Sequence, residues 1–138
     1  MISKTFFDDH LDSLNECVQL ASDEIMEIYR SKDFGQEEKL DGSPLTLADT
    51  RSNEIILNSL KKISKDISII SEETFSENLL KSLNDTYWLV DPLDRTKEFI
   101  NKTGEFTVNI AMIHRKETIF GIVAAPATGK IWCGSIFN

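Results

Sequence analysis

The spacing of apolar residues changes near residue 65, and this change restricts the fold more than any other feature of the sequence. Before it, apolar residues recur every three or four positions, which predicts two amphipathic helices. The second helix is expected to begin near Thr46, where Thr46-Leu-Ala-Asp49 has the pattern of a capping box. The first helix should run for roughly 22 residues, with one apolar stripe formed by Phe7, Leu11, Leu14, Val18, Ala21, Ile25 and Ile28.

After residue 65 the sequence contains short runs of β-branched and aromatic residues, which are typical of strands. The connections between the last three runs are short, as in an antiparallel meander. We therefore predict an α+β fold in which two long N-terminal helices pack on one face of a mainly antiparallel sheet. The polar segment 31–44 is predicted to be a loop with at most a short strand. The predicted strands are 67–70, 87–90, 106–114, 118–126 and 131–136.

The composition excludes several classes of protein. A chain of 138 residues fits one domain, and its net charge of −8 provides no basic surface for nucleic acid. We find no apolar run of about 18 residues and no signal-peptide pattern, so we expect no membrane span and a cytoplasmic location. Cys17 and Cys133 lack the spacing of a zinc site and are expected to be reduced thiols.

Acidic residues follow two of the predicted strands directly. Ile70 leads into Glu72 and Val90 leads into Asp91, with Asp94 three residues further on. If the two strands are neighbours, these carboxylates meet at one edge of the sheet, where their mutual repulsion calls for a cation. Oxygen ligands without histidine or cysteine favour Mg²⁺ over zinc. The sequence therefore predicts a magnesium site, which Asp49 could join through water.

Each of these carboxylates also has a simpler interpretation. Asp49 has the position of a capping-box residue that bonds only its own helix end. Glu72 and Glu73 would fit a solvated turn, and Asp91-Pro-Leu-Asp94 a turn that Asp and Pro initiate. The placement of the acids after two consecutive strands favours the metal site over these alternatives.

Four segments resemble the conserved motifs of one enzyme family. Asp91-Pro-Leu-Asp94-x-Thr96 resembles the DP(I/L)DGT signature of the inositol-monophosphatase superfamily, which comprises Mg²⁺-dependent, lithium-sensitive phosphatases. Residues 42–49 and 70–73 are similar to its SPVTxAD and LSEE segments, in the same order. Residues 96–111 resemble the branch that hydrolyses 3′(2′),5′-bisphosphate nucleotides. The resemblance implies the N-terminal half of the layered αβαβα sugar-phosphatase fold.

The resemblance assigns a role to each matching residue. Glu72, Asp91 and Asp94, with the Leu93 carbonyl, would bind two or three Mg²⁺ ions, and Li⁺ would inhibit. Asp49 and Thr96, together with Glu72, would act in catalysis by orienting and deprotonating the attacking water. The substrate phosphate would be held at Glu72, Leu93, Asp94, Arg95 and Thr96, partly by backbone N–H groups at a helix start.

The implied reaction is hydrolysis of the 3′-phosphate of 3′-phosphoadenosine 5′-phosphate to AMP and phosphate, a step that supports sulfate assimilation. The substrate is thus a small phosphorylated nucleotide. The resemblance also allows a homodimer, and peripheral association with the cytoplasmic face of the inner membrane.

Two departures from the family pattern leave alternatives open. Family members are about twice as long, so we expect residues 1–138 to be the N-terminal metal-binding α+β domain, without the C-terminal domain. The family also has Gly where this chain has Arg95, whose side chain could clash, point outward or add a phosphate contact. We expect Arg95 to lower activity and Arg95→Gly to raise it. The alternatives are an inositol or sugar-phosphate phosphatase, or a catalytically inactive fragment.

Overall fold

The computed structural model describes residues 2–81 and 83–137, which form a sheet with two long helices on one face, together with two short helices. The helices are α1 (Lys4–Tyr29), α2 (Leu47–Ile63), α3 (Glu77–Lys81) and α4 (Thr96–Ile100), with one 3₁₀ turn at Glu72–Thr74. The strands are β1 (Glu37–Glu38), β2 (Pro44–Leu45), β3 (Ser68–Ser71), β4 (Thr86–Asp94), β5 (Thr107–His114), β6 (Glu117–Ala125) and β7 (Lys130–Ser135).

The two long helices agree with the apolar pattern. α1 is 26 residues long, somewhat more than predicted, because Ser3 caps it and its hydroxyl accepts a hydrogen bond from the Phe6 N–H. α2 follows Thr46, which forms the predicted capping box with Asp49. The stripe residues Leu14, Val18 and others of α1 are buried against α2 and the sheet.

The five larger strands form one sheet in the order β3-β4-β5-β6-β7. β3 and β4 are parallel, whereas all the other pairs are antiparallel. The predicted α+β fold with a mainly antiparallel sheet is therefore confirmed. The segment predicted to be a loop contains a small antiparallel hairpin, β1–β2.

β4 differs from the prediction at its C-terminal end. We expected the strand to stop at Val90, but it continues through Pro92 to Asp94. Proline has no N–H to donate to a neighbouring strand, and the pairing of β4 with β5 shifts register between Asp91 and Asp94. The strand therefore bulges rather than turns, and the bulge carries both aspartates.

The two faces of the sheet are very different. One face is buried under α1 and α2, with Trp88, Ile110 and Ile122 in the core. The opposite face, which we call the apolar face, is open, and Leu89 on it is 44% exposed. A groove of about 670 Å³ runs along it. Its lining includes Tyr87, Leu89, Ala111, Gly121 and Val123.

Among the described residues, no helix has both the length and the apolar character needed to cross a membrane.

Candidate active site

The parallel pairing of β3 with β4 brings the two acidic strand ends together. Ile70 pairs with Leu89 and Ser71 with Val90. Glu72 and Asp91 therefore follow adjacent residues of neighbouring strands, as the sequence predicted. We refer to Glu72, Asp91 and Asp94 as the acidic cluster.

Asp91 is the most perturbed residue of the acidic cluster. Burial of its carboxyl group, followed by the proximity of Glu72 and Asp94, raises the pKa of Asp91 to about 8. Its Oδ1 atom is buried and has no hydrogen-bond partner among the residues that the structure describes. An ionised carboxylate in this position is costly unless a cation joins it.

The residues of the acidic cluster suit a hard divalent cation. A buried carboxylate oxygen without a donor, next to two further carboxylates, has the oxygen chemistry that Mg²⁺ prefers. In the ranges 2–81 and 83–137, however, no three Asp, Glu, His or Cys side chains are gathered as a complete set of metal ligands. The Glu72 side chain is 56% exposed. The cluster thus provides the ligand type, with Glu72 and Asp94 exposed and Asp91 partly buried.

Asp49 uses its two oxygens for different partners. Oδ2 accepts hydrogen bonds from the Thr46 N–H at 2.8 Å and the Thr46 hydroxyl at 2.7 Å, which is the capping box. Oδ1 accepts a hydrogen bond from the Thr96 hydroxyl at 2.9 Å. The simpler interpretation of Asp49 is therefore correct but incomplete. Burial of the fully enclosed side chain raises the pKa of Asp49, although its hydrogen bonds to Thr46 and Thr96 oppose the shift.

Two buried residues of α2, which the sequence analysis did not identify, fix both acidic strand ends. The Ser52 hydroxyl donates to the Pro92 carbonyl at 2.7 Å, and the Ser71 hydroxyl donates to Asn53 Oδ1. Polar residues spaced three and four positions after Asp49 on a helix share its face. That spacing was the available signal, since a buried polar residue on an apolar face needs a partner.

Leu93 and Thr96 lie next to the bulge of β4. The Leu93 side chain is buried, and the Leu93 carbonyl is 3.4 Å from the Thr96 hydroxyl, which donates more closely to Asp49. The structure therefore brings Leu93, Thr96 and Asp49 together at the end of β4.

Arg95 occupies a backbone conformation that glycine adopts more easily. Its φ and ψ are 70° and 53°, in the left-handed region, immediately before α4. Its guanidinium points to Glu98 and Glu105, with N–O distances of 3.9 Å and 3.8 Å. Of the three possibilities considered above for the Arg95 side chain, the structure therefore shows the one in which it points outward. The expectation that Arg95 lowers activity stays a prediction.

Lys39 is a further residue that the sequence analysis missed. Its Nζ lies 3.0 Å from Glu73 Oε1 and 4.0 Å from Glu72 Oε1. Burial alone would lower the pKa of Lys39, but the hydrogen bond and the charge of Glu73 outweigh burial and raise it. Burial raises the pKa of Glu73 in spite of the ammonium beside it. No local pattern could reveal this contact, because Lys39 arrives from the β1–β2 hairpin.

A cavity of about 310 Å³ lies against the acidic cluster. We call it the outer cavity. Its lining includes Lys39, Glu72, Asp94, Arg95, Thr96 and Lys97.

Residues 9–136 match the family model described as Inositol monophosphatase family. The chain belongs to this family. It is also similar to the 3′(2′),5′-bisphosphate nucleotidase CysQ of Escherichia coli strain K12, with 40% identity over 136 residues, 90% of this chain and 55% of the relative. CysQ of Buchnera aphidicola subsp. Acyrthosiphon pisum is 43% identical over 118 residues, which are 84% of this chain and 44% of the relative.

Solved structures of inositol monophosphatase family proteins have the same fold. CysQ from Bacteroides thetaiotaomicron superposes with a TM-score of 0.79 at 32% identity, over 96% of this chain and 48% of the other. An inositol monophosphatase from Thermotoga maritima superposes with a TM-score of 0.80 at 23% identity, over 93% and 48%. This chain spans about half the length of the relatives it matches. The family and the fold expected from the four motifs are therefore confirmed.

Proposed function

We propose that this chain is the N-terminal metal-binding domain of a Mg²⁺-dependent phosphatase that hydrolyses the 3′-phosphate of 3′-phosphoadenosine 5′-phosphate. The products would be AMP and phosphate. The similarity to 3′(2′),5′-bisphosphate nucleotidases supports the substrate. The observation that carries the proposal is the hydrogen bond of Thr96 to the buried carboxylate of Asp49, next to the acidic cluster.

Glu72, Asp91 and Asp94, with the Leu93 carbonyl, are the residues that would hold Mg²⁺. The unpartnered Oδ1 of Asp91 supports this assignment, because it is a buried acceptor among the described residues with no donor. When bound, Mg²⁺ would neutralise phosphate oxygens, lower the pKa of a water molecule and stabilise the leaving oxygen.

Asp49 and Thr96 would prepare the attacking water. The Thr96 proton is directed to Asp49, so the Thr96 oxygen presents a lone pair that can accept a hydrogen bond from water. The raised pKa of Asp49, caused by burial, makes its carboxylate a better proton acceptor near neutral pH. The capping box would hold Asp49 in place while the proton of the water is transferred, because the Thr46 contacts use only Oδ2 of Asp49.

The phosphate would bind where α4 begins. Backbone N–H groups of Arg95 and Thr96 lie at this helix start and would donate to the phosphate oxygens. Direct in-line attack by water then needs no phosphorylated side chain, and the 3′ oxygen leaves with the nucleotide.

Phosphate release tests the proposal. The protein is incubated with 3′-phosphoadenosine 5′-phosphate or inositol 1-phosphate, each with Mg²⁺ and then with added Li⁺. We expect Mg²⁺-dependent release from the nucleotide, inhibition by Li⁺, and a loss of about a hundredfold or more in Asp91→Asn. Lys130→Ala, at an exposed position of β7, which lies three strands away from β4 in the sheet, serves as the matched control.

Other outcomes would contradict parts of the proposal. Faster release from inositol 1-phosphate would favour the sugar-phosphate alternative. No release from either substrate, together with no Mg²⁺ binding in calorimetry, would favour the inactive fragment.

A further inference from the structure

The part of β4 that carries the two aspartates is held only weakly by strand pairing. β3 pairs with β4 as far as Ser71 with Val90, and the register with β5 breaks between Asp91 and Asp94. Among the described residues, the buried Pro92 therefore has no register partner on either neighbouring strand. Because buried backbone groups need hydrogen-bond partners, this segment depends on a contact from outside the sheet.

Ser52 of α2 provides that contact. Its side chain is fully buried, and its hydroxyl donates a hydrogen bond of 2.7 Å to the Pro92 carbonyl. Pro92 lies between Asp91 and Asp94, so this single bond holds the backbone from which both carboxylates project. Without the hydroxyl, the carbonyl would lose its buried donor, and the segment would shift toward another one.

Asn53 provides the equivalent contact at the end of β3. Its Oδ1 atom accepts a hydrogen bond from the buried Ser71 hydroxyl. The Ser71 oxygen is then free to accept a hydrogen bond of 3.3 Å from the Glu73 N–H. This second bond caps the 3₁₀ turn Glu72–Thr74. Asn53 therefore acts, through Ser71, on the turn that carries Glu72.

Both acidic strand ends are thus tied to consecutive residues of one helix. Ser52 and Asn53 lie one turn after Asp49, which accepts the hydrogen bond from Thr96. Residues at these spacings share one face of a helix. The carboxylates of the acidic cluster repel one another, so the strand ends would separate if the two contacts from α2 were lost.

We propose that Ser52 and Asn53 are positioning residues that hold the two acidic strand ends at the spacing that a Mg²⁺ ion requires. This inference rests on the proposed function and deepens it, because both residues act through Pro92 and Ser71 rather than on the ion. Mg²⁺ demands nearly ideal octahedral geometry, whereas Ca²⁺ accepts irregular and flexible sites. Looser strand ends should therefore weaken the binding of Mg²⁺ more than that of Ca²⁺. A purely structural role predicts a loss of stability with equal effects on the two ions.

Titration calorimetry of the metal-free protein, with Mg²⁺ alone and with Ca²⁺ alone, tests the inference, and urea unfolding measures the stability of each variant. Ser52→Ala removes the hydroxyl. Asn53→Leu removes the acceptor and nearly preserves the side-chain volume, and it is an independent test if Ser52→Ala does not fold. Ser64→Ala is the matched control, because Ser64 also ties α2 to β4, at the C-terminal end of the helix, where its hydroxyl accepts a hydrogen bond of 2.8 Å from Trp88 Nε1.

We expect Ser52→Ala and Asn53→Leu to bind Mg²⁺ about 10-fold or more weakly than the unsubstituted protein, which is the usual effect of removing a group that orients metal ligands. Their loss of Ca²⁺ affinity should be smaller. Ser64→Ala should lower stability and leave both dissociation constants unchanged.

Three results would overturn the inference: an unchanged Mg²⁺ affinity in either folded variant, an equal loss of affinity for Ca²⁺, or the same weakening in Ser64→Ala. If the unsubstituted protein did not bind Mg²⁺, the proposed function would fail together with the inference. Mg²⁺ binding by the unsubstituted protein with any of the three results would overturn the inference alone.

Discussion

The Thr96 hydroxyl donates a hydrogen bond of 2.9 Å to Asp49, 47 residues earlier in the chain. This bond joins the first turn of α2 to the start of α4 and crosses the end of β4. Asp49 is fully buried, so its ionised form depends on Thr46 and Thr96 for its hydrogen bonds. The same contact therefore orients a proposed catalytic group and holds a helix against the sheet.

Thr96→Val tests this relationship, because it removes the hydroxyl and nearly preserves the shape of the side chain. Asp49 Oδ1 would lose its donor, which should cost about 1–3 kcal/mol of stability and about a hundredfold or more in the rate of phosphate release. Urea unfolding and phosphate release measure the two effects. Thr128→Val, at an exposed turn, is the matched control and should change neither quantity. A Thr96→Val protein with unchanged stability and rate would contradict the assignment.

The stability of the metal-free protein should fall as the pH rises. The pKa of Asp91 is raised, mainly by burial, to about 8, from about 4 in an unfolded chain. The folded protein therefore holds this proton more tightly, and the stabilising contribution is complete below about pH 4 and is lost as the pH approaches 8. Urea unfolding in EDTA at several pH values measures the slope.

Asp91→Asn should flatten that slope, because its amide does not titrate, and it should make the metal-free protein more stable near pH 8. Glu117→Gln, at the exposed start of β6, is the control for the removal of one negative charge. Added Mg²⁺ should stabilise the unsubstituted protein but not Asp91→Asn. Equal slopes in the two proteins would show that Asp91 is not the group responsible.

Arg95→Gly should stabilise the protein by roughly 1 kcal/mol, because glycine adopts the left-handed conformation without the cost of a Cβ atom. Lys116→Gly is the matched control, since Lys116 has φ of 68° and lies in an exposed turn far from the acidic cluster. Similar increases in the thermal unfolding temperature of the two variants would show that the ion pairs of Arg95 contribute little to stability. A loss of stability in Arg95→Gly but not in Lys116→Gly would show that the ion pairs of Arg95 with Glu98 and Glu105 stabilise the folded protein.

The apolar face should tolerate a polar substitution that the core does not. Leu89 is 44% exposed, so Leu89→Gln should change the free energy of unfolding by less than about 1 kcal/mol. It should also reduce the binding of a hydrophobic dye and any self-association, because large exposed apolar patches promote both. Ile110→Ala, on the buried face, should cost about 2–5 kcal/mol. A large loss in Leu89→Gln would show that this face is covered in solution.

The sequence was sufficient for features that depend on local spacing. The stripe from Phe7 to Ile28 predicted α1, and the acids after Ile70 and Val90 predicted which strand ends meet. The hydrogen bond between Thr96 and Oδ1 of Asp49 could not be predicted from the sequence, because it depends on how α2 packs against β4.

Three further features also depend on packing between distant segments. Lys39 reaches Glu73 from a separate hairpin, 34 residues earlier. The bulge of β4 forms because β5 accepts a shift in register, which the Pro92 motif alone does not specify. The direction of the Arg95 side chain depends on Glu105, which lies beyond α4.

The strand order predicts which parts of the molecule form first during folding. β4, β5, β6 and β7 are neighbours both along the chain and in the sheet, so their pairing closes only short loops. The contacts that assemble the acidic end, such as Ser52 with Pro92, span 40 residues. We therefore expect substitutions within β5 and β6 to slow refolding, whereas substitutions at Ser52 mainly speed unfolding. The acidic cluster would then be among the last parts of the molecule to assemble during folding.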